Sequence, residues 1–153
     1  MKFFTKPRLI CTLLLAAIAG ALFFSYTVNP ELQRTLLYFR QSGGSTGVEE
    51  RYLPQSSGKE LAVLIVDELL LGPFDHNLLR FCDPELRPRT CFVRKSALYL
   101  DLPAQILTPQ VKTPDFHTVY MLLRKNILTN CKDIDTVYIY IDGVPAYMQN
   151  AAL

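Results

Sequence analysis

From Leu9 to Val28 the chain reads LICTLLLAAIAGALFFSYTV, a run without one charged side chain. As an α-helix rising ~1.5 Å per residue it would be about 30 Å long, the thickness of a bilayer's hydrocarbon core. Such a run favours lipid over a place as a core helix of a small domain, so the fold is expected to be built from the residues beyond Val28. The preceding MKFFTKPR supplies Lys2, Lys6 and Arg8 and no acid. Under the positive-inside bias that flank stays in the cytoplasm and the body lies outside. A cleaved signal peptide is the open alternative, with small-x-small sites at Ala17-x-Ala19 and Ala19-x-Ala21. The apolar run continues past them through Leu22, Phe23 and Phe24, which favours an uncleaved anchor. Cys11 has too little apolar chain before it to be the acylated cysteine of a lipoprotein.

The expected organisation is a cytoplasmic flank (1–8), a single-pass transmembrane anchor or signal peptide (9–28), a connector (29–34), one folded domain (35–147) and a short tail (148–153). The whole is 153 residues, which leaves room for one domain. Beyond Val28 acids and bases nearly balance, so the mildly basic character belongs to the N-terminus. A neutral body lacks the basic stripe that a polyanionic backbone demands, and nucleic acid is excluded as a partner.

Within the body, TLLYFR (35–40) reads as a strand and QSGGSTG (41–47) as a turn. A weaker strand comes next at 48–53 and is closed by Pro54. Ser57-Gly-Lys-Glu60 has the spacing of a capping box. The apolar run from Leu61 suits either a buried strand or a helix. The cap before it, its continuation to Leu71 and the Gly72-Pro73 stop favour a helix. Residues 74–89 read as a charged, proline-containing loop. Residues 91–95 and 97–102 alternate across a tight turn at Ser96, with Leu98, Leu100 and Leu102 on one face and Tyr99 and Asp101 on the other. Thr113-Pro114-Asp115 predicts a helix start with proline at the first helical position. Phe116, Val119, Leu123 and Ile127 recur at helical spacing. DTVYIYID (135–142) alternates with Val137, Ile139 and Ile141 inward, and Asp142-Gly143 turns the chain. The order β-β-α-β-β-α-β predicts an α+β fold, with two helices covering one face of a small, mainly antiparallel or mixed sheet.

TLLYFR, VEERYLP (48–54), Leu69-Leu70-Leu71-Gly72-Pro73, ALYLDL (97–102) and YIYIDGVP (138–145) stand in an order that resembles the GerMN domain, the sporulation and spore germination domain. The resemblance covers residues 35 to 145. Two stretches depart from the family pattern: 74–89 is longer and more charged, and Arg94-Lys95-Ser96 stands where Asp-Gly is frequent. The resemblance implies an exported or membrane-anchored module of structural or protein-interaction type, with a fold akin to ring-building domains of envelope complexes.

No nucleophile elbow, zincin helix, P-loop or dinucleotide fingerprint occurs. His76 and His117 stand apart without ligand spacing, and Asp67 and Glu68, adjacent on a helix, point in different directions. No metal and no cofactor is expected. In an oxidising compartment Cys82–Cys91 closes the shortest disulfide loop, with Cys82 inside the stretch that departs from the family. Pairing of either with Cys131, or three free thiols, stays open. The tyrosines carry the sharper expectation. With Val137, Ile139 and Ile141 inward, Tyr138 and Tyr140 point to the open face of the sheet. Tyr99 joins them, and so does Tyr38 if Leu37 and Phe39 are inward. Tyrosine combines contact area with a hydroxyl at low entropic cost, which suits a protein interface, and it is also simply a good strand residue.

The sequence therefore points to a non-enzymatic, membrane-anchored envelope scaffold or interaction module. Its expected partner is another envelope protein or, with oligomerisation left open, a second copy. The alternative is a factor that binds or acts on peptidoglycan.

Overall fold

A computed structural model describes residues 6–28, 32–108 and 113–147. The flank at 1–5, part of the connector at 29–31 and the tail at 148–153 lie outside the described residues. The chain divides into two units, with the boundary between Leu32 and Gln33.

The first unit is the helix α1, Lys6–Val28. Its described side chains, from Ile10 to Ser25, are exposed and apolar on every side. Among the described residues no helix is long and apolar enough to cross a membrane. The segment is helical as expected, and the side chains of Leu9 and of residues 26–28 in the assigned span lie outside the described ones.

The second unit keeps the expected order of major elements. Strands β1 (Leu32–Gln41) and β2 (Thr46–Pro54) lead into α2 (Gly58–Leu71). A two-residue strand β3 (Leu78–Leu79) precedes β4 (Thr90–Arg94) and β5 (Ala97–Leu102). Helix α3 (Phe116–Asn130), β6 (Thr136–Ile141) and β7 (Val144–Pro145) complete it. The single expected sheet is instead two. One has the order β2-β1-β3 and the other β4-β5-β6-β7, with β5 and β6 parallel and the other two pairings antiparallel. Alternation within a strand reveals its faces but not its neighbours, so the division had no local signal.

Both helix predictions hold, with different caps. Ser57 is the N-cap of α2, but its side chain makes no capping bond. Pro114 lies before α3 rather than in its first turn. Asp115 is the cap, accepting from Thr118 N at 3.0 Å and from the Thr118 hydroxyl at 2.7 Å. Those bonds favour the ionised carboxylate and hold Asp115 below its usual range.

The expected loop at 74–89 also contributes to the core. Leu78, Phe81, Cys82 and Leu86 are buried, and Phe81 packs its ring 5.2 Å from that of Phe39. Leu78 and Leu79 pair with Gln41 and Arg40 on β1. Beneath this stretch, Arg51 is a buried cation. It donates to Glu49 Oε1 at 2.8 Å, to Gly72 O at 2.6 Å and to the Glu68 carboxylate, with its guanidinium 4.1 Å from the Phe74 ring. Glu49 in turn accepts from Phe74 N and Asp75 N. Gly72 closes α2 at a φ of +90°, and a Cβ there would lie 2.8 Å from Arg80 Cγ. Helices α2 and α3 pack on each other, α2 against β4 and α3 against β6. The opposite face of the second sheet carries Phe92, Tyr99, Tyr138 and Tyr140, which are exposed or half-buried.

Candidate functional site

Strand alternation sorts the second sheet cleanly. Leu98, Leu100, Leu102, Val137 and Ile139 point into the core, none more than 4% exposed. The residues between them face outward. The two-residue turn at Lys95-Ser96 sets Phe92 of β4 beside Tyr99 of β5, and the parallel β5–β6 register sets Tyr99 beside Tyr138. The three rings stack in succession. Phe92 and Tyr99 are 5.2 Å apart with planes 10° from parallel, and Tyr99 and Tyr138 are 5.0 Å apart at 20°. Each such pair adds about 0.5–1.5 kcal/mol beyond area burial.

Tyr140 lies one pleat further, in register with Asp101. With Thr90, Phe92, Tyr99 and Gly143 these two line a shallow cleft of about 270 Å³. Its rim is polar. Arg89 donates to Asp142 Oδ1 at 2.6 Å and lies 3.7 Å from Asp101 Oδ2, while Asp101 Oδ1 accepts from Gly143 N at 3.0 Å. Asp142 and Gly143 both take positive φ, as the expected Asp-Gly turn requires. The face can therefore offer a partner half-exposed aromatic area, three phenol hydroxyls and a braced ionic rim.

Tyr38 does not join this face. It sits on β1 in the other sheet, with Lys125 Nζ 4.1 Å from its ring centre and its backbone bonded to Asn126 of α3. The four expected tyrosines thus separate as three and one, because they were placed on one sheet where the chain forms two. Phe92 was the residue missed. Its signal was present in the turn length, which fixes it opposite Tyr99.

A second recess, about 550 Å³, runs between α2 and β4, lined by Val63, Leu64, Asp67, Cys91 and Val93 among others. Cys91 and Cys82, the expected disulfide pair, are both free thiols in the structure. Cys82 points into the core with its sulfur 3.8 Å from Leu70 O, and Cys91 turns toward the groove. Burial pushes Cys82 to about 11, Cys91 to about 12 and Cys131 to about 11. All three are protonated at neutral pH and poor nucleophiles there. His117 packs edge-on to Tyr147 at 5.6 Å, and His76 is exposed. Among the described residues no group of three or more His, Cys, Asp or Glu side chains is placed to hold a metal.

No family model matches the chain. An uncharacterized lipoprotein of Treponema pallidum (strain Nichols) is 40% identical over 79 residues, which are 52% of this chain and 59% of that protein. The chain thus matches less than two thirds of that relative's length. Among solved structures, the tandem GerMN domains of the sporulation protein GerM from Bacillus subtilis superpose with a TM-score of 0.60 at 14% identity, over 79% of this chain and 43% of that one. The first GerMN domain of the same protein gives 0.58 at 14% identity, over 74% of this chain and 85% of that one. The fold of the second unit is therefore GerMN-like.

Proposed function

We propose that the chain is a non-enzymatic envelope protein, tethered to the cytoplasmic membrane by its N-terminal helix, whose extracytoplasmic domain binds another envelope protein. The observation that carries this reading is the outward aromatic face of β4, β5 and β6, where Phe92, Tyr99, Tyr138 and Tyr140 stand in a domain whose opposite sheet face is buried. Partly exposed tyrosines grouped around a polar rim are the composition that favours protein contact.

The tether rests on the run Leu9–Val28 and on the all-round apolar surface of α1, a pattern that in a helix is accommodated by a core or by lipid. The basic flank gives the orientation, N-terminus inside. The likeness to GerMN domains and to a protein named a lipoprotein supports an envelope setting. A glycan platform is less favoured. The rings of Phe92, Tyr99 and Tyr138 cover one another's faces and present mainly their edges outward.

A photo-crosslinking residue at position 140 of the full-length chain in intact cells tests the binding face. It should yield an adduct with one envelope protein, and a crosslinker at the exposed Met121 should not. Equal adducts from both positions, or none from position 140, overturn the assignment. A reporter fused after Leu153 should be active only outside the cytoplasm.

A further inference from the structure

The β1–β2 hairpin has one edge closed and the other free. On the β1 side, Asn126 and Asn130 of α3 take the backbone groups of Tyr38 and Leu36, and β3 pairs with Arg40 and Gln41. β2 is the outermost strand of the same sheet, and among the described residues no strand pairs with its far side.

Two observations fix which groups of β2 face that side. In the turn, Gln41 N donates to Ser45 O at 2.8 Å and Gly44 N to Gln41 O at 2.9 Å, with Gly44 at a φ of +90°. This is a three-residue hairpin loop closed by a bulge, and it sets Gln41 opposite Ser45. In that register Tyr38 stands opposite Val48, Leu36 opposite Glu50 and Arg34 opposite Tyr52. Tyr38 turns its N–H and C=O away from β2, toward Asn126. By the antiparallel alternation, Val48, Glu50 and Tyr52 turn theirs away from β1, toward the free side. Their side chains share the outward face, where Val48 is 53% exposed and Tyr52 61%. Glu50 stands between them, 2.7 Å from Arg34 and accepting from the Tyr52 hydroxyl.

We infer that a second copy of the chain adds its own β2 to this edge, antiparallel, about a two-fold axis at Glu50. Such a pair is self-complementary. Val48 of each copy lies opposite Tyr52 of the other, a β-branched and aromatic pair that covers both exposed side chains. On the inner face Glu49 lies opposite Arg51 of the second copy, an opposite-charge pair, while each Arg51 keeps its own Glu49 and Glu68. The two Glu50 carboxylates meet on the axis, each with its own Arg34 as counter-ion. The registers one pleat to either side are worse. They set Glu49 or Arg51 against itself, put Glu50 or Pro54 opposite Val48 in place of the Tyr52 ring, and shorten the ladder. A strand pair of this length covers less than the ~1,200 Å² of a standard interface, so confinement of the copies to one membrane raises its occupancy. That confinement rests on the tether proposed above; the edge and its register do not.

The test places single cysteines in the full-length chain carrying Cys11→Ser, reconstituted in liposomes and treated with a short bismaleimide. The Cys11→Ser parent, whose other thiols are buried or half-buried, is the blank. Opposed Cα atoms of a hydrogen-bonded antiparallel pair are about 5.5 Å apart, so Glu50→Cys should crosslink to itself. The two copies of position 48 lie about 14 Å apart along the strands, as do those of position 52. Val48→Cys and Tyr52→Cys should therefore not crosslink alone, but should crosslink to each other when mixed in one vesicle. Val48→Pro removes an N–H that faces only the free side, and added to Glu50→Cys it should cut the crosslink at least tenfold. Equal self-crosslinking at 48, 50 and 52 reports random collision and overturns the inference, as does none at 50. A position-50 adduct with another protein in intact cells, without the self-linked product, reports a foreign strand and also overturns it. Flotation with the liposomes checks the tether separately, and the position-140 adduct checks the tyrosine face. If both hold while position 50 fails, only the edge inference falls.

Discussion

Asn126 of α3 takes both backbone groups of Tyr38 on β1, its Oδ1 accepting from Tyr38 N at 2.8 Å and its Nδ2 donating to Tyr38 O at 2.9 Å. One amide side chain thus replaces a neighbouring strand along the middle of β1. Asn130 extends the pattern, donating to Leu36 O at 2.9 Å. Asn126 is fully buried, and its Nδ2 also lies 2.8 Å from Leu122 O. Buried backbone groups need such partners, because each one left unsatisfied costs about 1–3 kcal/mol.

Asn126→Leu keeps the volume and removes both partners of Tyr38, so it should destabilise the unit from Gln33 onward by about 2–4 kcal/mol. Urea unfolding measures this. Asn130→Leu, which serves one carbonyl on β1 near a half-exposed site, should cost less. Equal costs would show that the bracket around Tyr38 contributes nothing of its own.

Arg51→Met should be among the most damaging single changes. It leaves Glu49 and Glu68 without their cation and strips a donor from Gly72 O. Removing one partner of a buried ion pair costs about 3–5 kcal/mol. Because Glu49 also holds Phe74 N and Asp75 N, hydrogen exchange near those residues should rise in the variant.

Lys95 takes a φ of +55° in the β4–β5 turn, the left-handed region that L-residues enter at a cost. Lys95→Gly should raise stability by roughly 0.5–1 kcal/mol, the relief of strain exceeding the added freedom of the unfolded chain. A lower melting temperature for the variant would mean that the lysine side chain contributes a contact of its own.

The thiols give a pH dependence of definite sign. In the fold Cys82, Cys91 and Cys131 are raised to about 11, about 12 and about 11, against about 8.5 for a free thiol. Above the free value the unfolded chain loses protons that the folded chain keeps. Stability should therefore be flat in this respect below about pH 8 and fall from there toward pH 11–12. Cys82→Ala should flatten part of that decline in urea midpoints measured across the alkaline range.

How much of this could be read in advance depended on whether a signal was local. The alternation of 97–102 and 136–141 and the helical spacing of Val119, Leu123 and Ile127 mark faces residue by residue, and the structure keeps them. The ambiguous run from Leu61 became helix, its buried positions Leu61, Ile65 and Leu69 falling at helical spacing. Pairing between distant strands has no such mark, and the split into two sheets went unseen. So did Asn126, a polar residue on an apolar helix face, because its partner lies 88 residues away. The core residues Leu78, Phe81 and Leu86 keep to no period, so a loop hid them.

The outward face can be separated from the core by neighbouring residues of one strand. Ile139 is 4% exposed, and Ile139→Ala should destabilise by about 2–5 kcal/mol through the cavity it leaves. Tyr138→Ala forfeits one stacked pair and some partly exposed area, so its cost should stay near 1 kcal/mol. Tyr99 stacks on two rings, and Tyr99→Ala should fall between them. Tyr140 stands a pleat beyond the stacked rings, so Tyr138→Ala/Tyr140→Ala should leave the thermal transition only slightly lowered. The order Ile139, Tyr99, Tyr138 is the signature of a core face, a supported outer face and its margin. If the tyrosine pair unfolds the unit as badly as Ile139→Ala, that face is covered in the free protein and cannot serve as an open binding surface.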